Sequence, residues 1–171
     1  MTIYNNENKL ILVAHRGIAT YFPENTMIAF KAALVSDIDI LEIDIHRTSD
    51  NHLVVIHDDS IDRTSNGSGK IKDMNLAELQ QFDYGITKDK QFAGATIPTL
   101  DEVINLIQDY HQKLLIELKQ PQNYPGIESE LIDALNASDL PKNKVIVQSF
   151  NQKSMKKIFD MNEGYELGVL I

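Results

Sequence analysis

The sequence contains no cysteine, which excludes disulfides, thiolate nucleophiles and cysteine metal sites, so any metal must be held by oxygen or histidine. It contains no run of eighteen apolar residues able to cross a bilayer, and its first ten residues, MTIYNNENKL, carry no apolar signal segment. A cytoplasmic protein with no stable membrane anchor is therefore expected. Positive charge is in short supply: 16 Lys and Arg stand against 25 Asp and Glu, a formal net charge of -9. Binding to nucleic acid or acidic membranes depends on basic patches that neutralise phosphates, so no nucleic-acid partner is expected. A small anionic substrate would need locally gathered cations. Repeats, low-complexity tracts and long linkers are also absent.

What is present is an ordinary globular balance: 171 residues, 43% hydrophobic and 24% charged, enough for one domain with a sizeable core. Short apolar runs alternate with helical patterns. Strands are predicted at 11–15, 40–46, 53–57, 114–118, 145–150 and 167–171, and their Val, Ile and Leu content suits strands covered on both faces. Helices are predicted at 25–36, 75–82, 100–111, 127–137 and 152–161. Asn75 with Glu78 and Thr99 with Glu102 have the spacing of a capping box. This alternation predicts an α/β fold with a parallel sheet, doubly wound or a (β/α) barrel. Residues 59–96 form a long polar connection with one short helix, and connections of that length tend to line a site.

Polar residues interrupt the strands in a regular way. In LEIDI, Leu41, Ile43 and Ile45 share one face while Glu42 and Asp44 share the other. Two acids so close raise each other's pKa unless positive charge intervenes. A divalent cation is one solution, and a salt bridge to Arg or Lys is the plainer one. Other strands end similarly, with His15 and Arg16 after ILVA, His57 and Asp58 after LVVI, and Glu117 and Lys119 in LLIELK. All lie towards C-terminal strand ends, where α/β folds build their sites. Three carboxylates suit Mg²⁺ or Ca²⁺, two cations suit a phosphate, and two histidines on opposite sides of phosphorus could exchange protons with attacking and leaving oxygens.

The ordered motifs HRG (15–17), PENT with AF (23–30), E-x-D (42–44), T-x-D with VV-x-HD (48–58), RT (63–64), IPTLDE (97–102), IELK (116–119) and QSF (148–150) resemble the glycerophosphodiester phosphodiesterase family over almost the whole chain. The resemblance implies a TIM-type barrel, of which six of eight strands are counted here, forming one domain with residues 59–96 as an insertion over the substrate. It implies one divalent cation, Mg²⁺ or Ca²⁺, on Glu42, Asp44 and Glu117, with His15 and His57 as acid and base. Arg16 and Lys119 are the implied phosphate contacts, and Glu24 and Asn25 the residues supporting them. The implied reaction releases glycerol 3-phosphate and an alcohol from a small glycerophosphodiester. Barrel phospholipases of the phospholipase D or phosphoinositide phospholipase C kind are the nearest alternative, and a silent metal- or phosphate-binding module is another. With six strands, the edge at residues 11–15 is left unpaired, and a fragment of a longer chain, a homo-oligomer that closes the barrel, or a smaller rearranged fold would each account for it.

Other residues are given plainer readings. His46 is placed in the loop mouth, His52 in a turn and His111 at a helix end. Met155, Ile158 and Phe159 are assigned to the core, NGSG (66–69) to a flexible turn, and Gln148 and Ser149 to substrate contact or backbone hydrogen bonding.

Overall fold

In the computed structural model, which describes residues 2–4, 10–161 and 163–171, the alternating pattern becomes one curled sheet backed by helices. Its strands are β1 (Thr2–Tyr4), β2 (Leu10–His15), β3 (Ile40–Arg47), β4 (Leu53–Val55), β5 (Lys113–Leu118), β6 (Val145–Ser149) and β7 (Glu166–Val169), and the hydrogen-bonded order is β1-β2-β3-β5-β6-β7. Strands β2, β3, β5, β6 and β7 run parallel. The helices are α1 (Met27–Leu34), α2 (Leu76–Leu79), α3 (Leu100–Ile107), α4 (Ile127–Ala137) and α5 (Gln152–Met161). Both capping boxes form, Asn75 with Glu78 and Thr99 with Glu102.

Two expectations need correction. The run at 53–57 does not add a barrel strand: β4 lies antiparallel on the end of β3, with Ile45 opposite Val55 and Arg47 opposite Leu53. A parallel partner needs a crossover of about a dozen residues or more, whereas β3 and β4 are joined by a tight turn in which Asn51 adopts φ 66°. Five strands, not six, are parallel among the described residues. The edge at β2 is also covered, because β1 pairs with it antiparallel, Thr2 opposite Leu12 and Tyr4 opposite Leu10.

The outward faces of the parallel strands build the core with the helices. Leu41, Ile43 and Ile45 pack with Phe30, Leu34, Val103, Ile107, Leu131 and Leu135 in one buried cluster. The connection at 59–96 has a second small core of its own, in which Ile61, Ile71, Leu79 and Tyr84 gather against Val54, Ile56 and Ile97. These apolar residues are too irregularly spaced to register as a period. The insertion is further tied down where Lys88 Nζ donates to the carbonyls of Ala19 and Thr20, 2.8 and 3.0 Å away. The NGSG turn is closed by Asp62, which accepts from Ser68 Oγ and Gly69 N. Met155 and Ile158 of α5 are buried as expected, whereas Phe159 is 69% exposed, because this helix buries only a narrow stripe.

Candidate active site

The site begins at the corner leaving β2. Arg16 and Gly17 both take left-handed backbone, φ 59° and 80°, and reverse the chain onto α1. A Cβ on Gly17 would lie 2.7 Å from Ala29 Cβ and 2.8 Å from its carbonyl, so only glycine lets the corner approach the helix this closely. The turn aims the Arg16 backbone N–H at Glu42 Oε2, 2.8 Å away. Asn25, also left-handed at φ 52°, donates its backbone N–H to the Arg16 carbonyl. Its side chain donates to Asp44 Oδ2 at 2.9 Å, while the next residue, Thr26, caps α1.

Strand register sets the carboxylates. Asp44 lies beside Glu117 across the β3–β5 ladder, and Glu42 beside His15 across β2–β3. Glu42, Asp44 and Glu117 are all buried and bring one oxygen each within 4.8 Å of one another. Two cations flank them. Lys119 Nζ is 2.8 Å from Glu117 Oε1 and 3.7 Å from Asp44 Oδ1, and Arg16 Nε is 3.2 Å from Asp44 Oδ2. These contacts do not satisfy the cluster, because Glu42 Oε1 and Asp44 Oδ1 are buried without a hydrogen-bond partner among the described residues. Burial and the charge of Asp44, followed by that of Glu117, push the Glu42 carboxyl up to about 8. Orphaned hard oxygens converging in a site short of positive charge fit a divalent cation, and the group can hold an ion.

The histidines flank the acids. His15 Nε2 is 4.0 Å from Glu42 Oε2, and burial, aided by the Arg16 charge, lowers its pKa. His57 Nδ1 is 2.7 Å from Asp58 Oδ1. An ionised carboxylate only accepts, so Nδ1 carries a proton and Nε2 is the ring nitrogen directed away from Asp58. Arg63 keeps Asp58 ionised: its Nε and Nη2 donate to the two Asp58 oxygens at 2.7 and 3.0 Å. The same guanidinium donates to both oxygens of Glu24, at 2.9 and 2.8 Å, and Glu24 also accepts from Arg16 Nη1 at 2.9 Å. Arg63 accordingly holds the carboxyls of Asp58 and Glu24 below their usual range. Arg16, Glu24, Arg63, Asp58 and His57 form one chain of charge-assisted hydrogen bonds.

The structure thus gathers the residues singled out in the sequence. His15, Arg16, Glu42, His57, Glu117 and Lys119 line one cavity of 300 Å³ with Gln148 and Phe150. Asp44 and Asn25 lie buried beside it, and Glu24 ties Arg16 to the insertion. A larger cavity of 840 Å³ adjoins it through His57, Glu117 and Lys119, walled by Gln120–Gln122 and residues 149–153. Gln148 faces the smaller cavity, whereas Ser149 Oγ donates to the Leu118 carbonyl at 2.7 Å. His52 sits in its turn, 3.3 Å from Asp50. His46 is not in the loop mouth: it is fully buried, because Tyr124 and the His57 backbone close over it. Arg63 and Asp58 were not assigned roles from the sequence, although the RT and HD motifs contain them; their partnership needs the insertion to fold back over the site. Tyr124 carried no signal at all.

The chain matches the model of the glycerophosphoryl diester phosphodiesterase family over residues 15–171. It is 43% identical to the glycerophosphodiester phosphodiesterase of Caldanaerobacter subterraneus subsp. tengcongensis over 163 residues, 95% of this chain and 67% of that protein. It is 35% identical to the glycerophosphodiester phosphodiesterase of Bacillus subtilis over 167 residues, 90% of this chain and 57% of that protein. Among solved structures, an Oleispira antarctica phosphodiesterase in complex with the product sn-glycerol-3-phosphate superposes with a TM-score of 0.87 at 32% identity, covering 94% of this chain and 66% of that one. The chain spans about two thirds or less of the length of these relatives.

Proposed function

Since this chain belongs to the glycerophosphoryl diester phosphodiesterase family, we propose that it hydrolyses water-soluble glycerophosphodiesters in the cytoplasm, releasing glycerol 3-phosphate and an alcohol. The observation that carries this reading is the convergence of three buried carboxylates, two histidines and two cations on one end of the sheet. The same reading makes the chain part of a single (β/α)-barrel domain, with residues 59–96 as the cover over the substrate.

Glu42, Asp44 and Glu117 would hold one divalent ion, Mg²⁺ or Ca²⁺. Bound there, it supplies positive charge that polarises a phosphoryl oxygen and offsets charge developing in the transition state. Lys119 and Arg16 add charge at the phosphate, and Glu24 with Asn25 hold Arg16 and Asp44 in place. One histidine takes the proton of the glycerol 2-hydroxyl as that oxygen bonds to phosphorus. The other gives a proton to the head-group oxygen as its bond to phosphorus breaks. Water then opens the cyclic phosphate to glycerol 3-phosphate. Asp58 and Arg63 orient His57 through its Nδ1, leaving Nε2 for proton transfer.

The test is release of glycerol 3-phosphate with Mg²⁺, with Ca²⁺ and with EDTA. Activity with an added ion is expected, and His15→Ala and His57→Ala should each lower kcat by about 10²- to 10⁴-fold. Inactivity with every ion, or unchanged turnover in both variants, refutes the proposal. The limited share of its relatives that the chain spans favours a second reading, an ion-binding module without turnover. Calorimetry showing ion binding where the assay shows no product would select it.

A further inference from the structure

His46 follows Glu42 and Asp44 on the same face of β3, yet its ring does not join the acid cluster. It is fully buried and bonded at both nitrogens. Nε2 lies 3.0 Å from the backbone carbonyl of His57, and Nδ1 lies 2.8 Å from the hydroxyl of Tyr124. A carbonyl can only accept, so Nε2 carries the proton and Nδ1 accepts from the tyrosine hydroxyl. The polarity of the chain is settled: Tyr124 donates to His46, and His46 donates to His57.

Each end of this strut belongs to a loop that carries a site residue. On one side is His57 itself, at the start of the insertion. On the other, Tyr124 ends the short 3-10 turn Pro121–Asn123 that follows Lys119 and Gln120. Gln120 holds left-handed backbone at φ 42°, a conformation that a non-glycine residue keeps only when its surroundings over-determine it. Tyr124 is 2% exposed, its ring stands edge-on to His46 at 5.6 Å, and Arg47 braces the same loop by donating to the Pro125 carbonyl at 3.1 Å and to Glu130 at 2.7 Å.

We propose that His46 is a positioning residue for the phosphodiesterase reaction, one that registers the His57 imidazole against the Lys119 loop through its Nε2–H bond to the His57 carbonyl. This rests on the function proposed above for His57. The physical reason is that a proton-transfer group displaced by about 1 Å can lose on the order of a hundredfold in rate, and the His57 backbone is exposed to such drift where β4 has already ended at Val55.

Two isosteric substitutions separate positioning from simple packing. His46→Gln puts an amide N–H where Nε2–H stands, keeping the bond to the His57 carbonyl and losing that to Tyr124. His46→Asn does the reverse, keeping an acceptor near Nδ1 and losing the donor to His57. The expected result is that His46→Asn lowers kcat by about 10- to 100-fold with KM changed little, whereas His46→Gln stays within a few-fold of wild type. Amide hydrogen exchange at Ile56 and Lys119, whose N–H groups donate to the Asp44 and Ile45 carbonyls on the two sides of the strut, followed by NMR on the same proteins, should speed up in His46→Asn and not in His46→Gln. Equal kcat and equal exchange in the two variants overturn the proposal. The exchange readout needs no turnover, so a chain inactive with every ion would refute the proposed function while leaving the strut to be decided by exchange alone.

Discussion

Glu42→Gln isolates the electrostatic tension of the acid cluster. The variant keeps an oxygen able to accept the Arg16 backbone N–H, 2.8 Å away in the parent, and removes only the capacity to ionise. The difference between the ordinary glutamate value of 4.5 and about 8, at about 1.4 kcal/mol per pH unit, sets a ceiling of about 5 kcal/mol on the ionised form. The charge is shared among three carboxylates and relieved by the nearby Lys119 and Arg16, so a working value is about 2 kcal/mol. The sign follows from proton linkage. Below about pH 4.5 Glu42 is protonated in both the folded and unfolded chain; between there and about 8 only the unfolded chain loses the proton, so wild-type stability falls as pH rises. Glutamine does not titrate. The variant should therefore melt near wild type at about pH 5 and about 4–8 °C above it beyond pH 8 in EDTA, since about 1 kcal/mol moves a chain of this size by 2–4 °C. Added Mg²⁺ or Ca²⁺ should raise the wild-type midpoint at pH 8 and raise the variant's far less. Thermal melts by circular dichroism at the two pH values, with and without ion, give all four numbers. A variant that is equally displaced at both pH values, or that gains as much from the ion as wild type does, would sink the electrostatic account.

Two further outcomes follow from the same geometry. Arg63→Ala removes the bridge between Glu24 and Asp58; because Arg63 is half-exposed, stability at neutral pH should change by about 1 kcal/mol or less, while kcat falls about tenfold as His57 loses its oriented partner. With their carboxyls no longer held low by Arg63, the stability that these two groups contribute above their unfolded pKa values is lost, and acid unfolding, followed by fluorescence, should move to higher pH. Gly17→Ala forces a Cβ to within 2.7–2.8 Å of Ala29 at a φ of +80°, so a loss above about 2 kcal/mol is expected in urea unfolding; an unchanged urea midpoint would contradict the close corner.

Much of the site was legible in the sequence because it obeys short-range rules. Alternation on a strand places Glu42 with Asp44 and leaves Leu41, Ile43 and Ile45 to the core, and the capping boxes mark their helices from a spacing of three. The parallel alternation of strands and helices predicts which strand ends meet, which places His15, Glu117 and Lys119 on one end of the sheet, whereas His57 reaches that end because β4 returns antiparallel along β3. Local pattern could not tell a barrel strand from a hairpin strand: LVVIH is as apolar as its neighbours, and only its tight turn, too short for a crossover, sends β4 back antiparallel on β3.

Tertiary structure decided what depends on long separations along the chain. Arg63 meets Glu24 across 39 residues and Tyr124 meets His46 across 78, contacts that carry no period and no spacing to read. His46 shows the division plainly. Its parity with Glu42 and Asp44 is a property of the strand and was written in the sequence, but parity stops at a face and does not name a partner. The folded insertion and the loop after β5 close over that face, and they turn a histidine expected in the loop mouth into a buried link between two walls of the site.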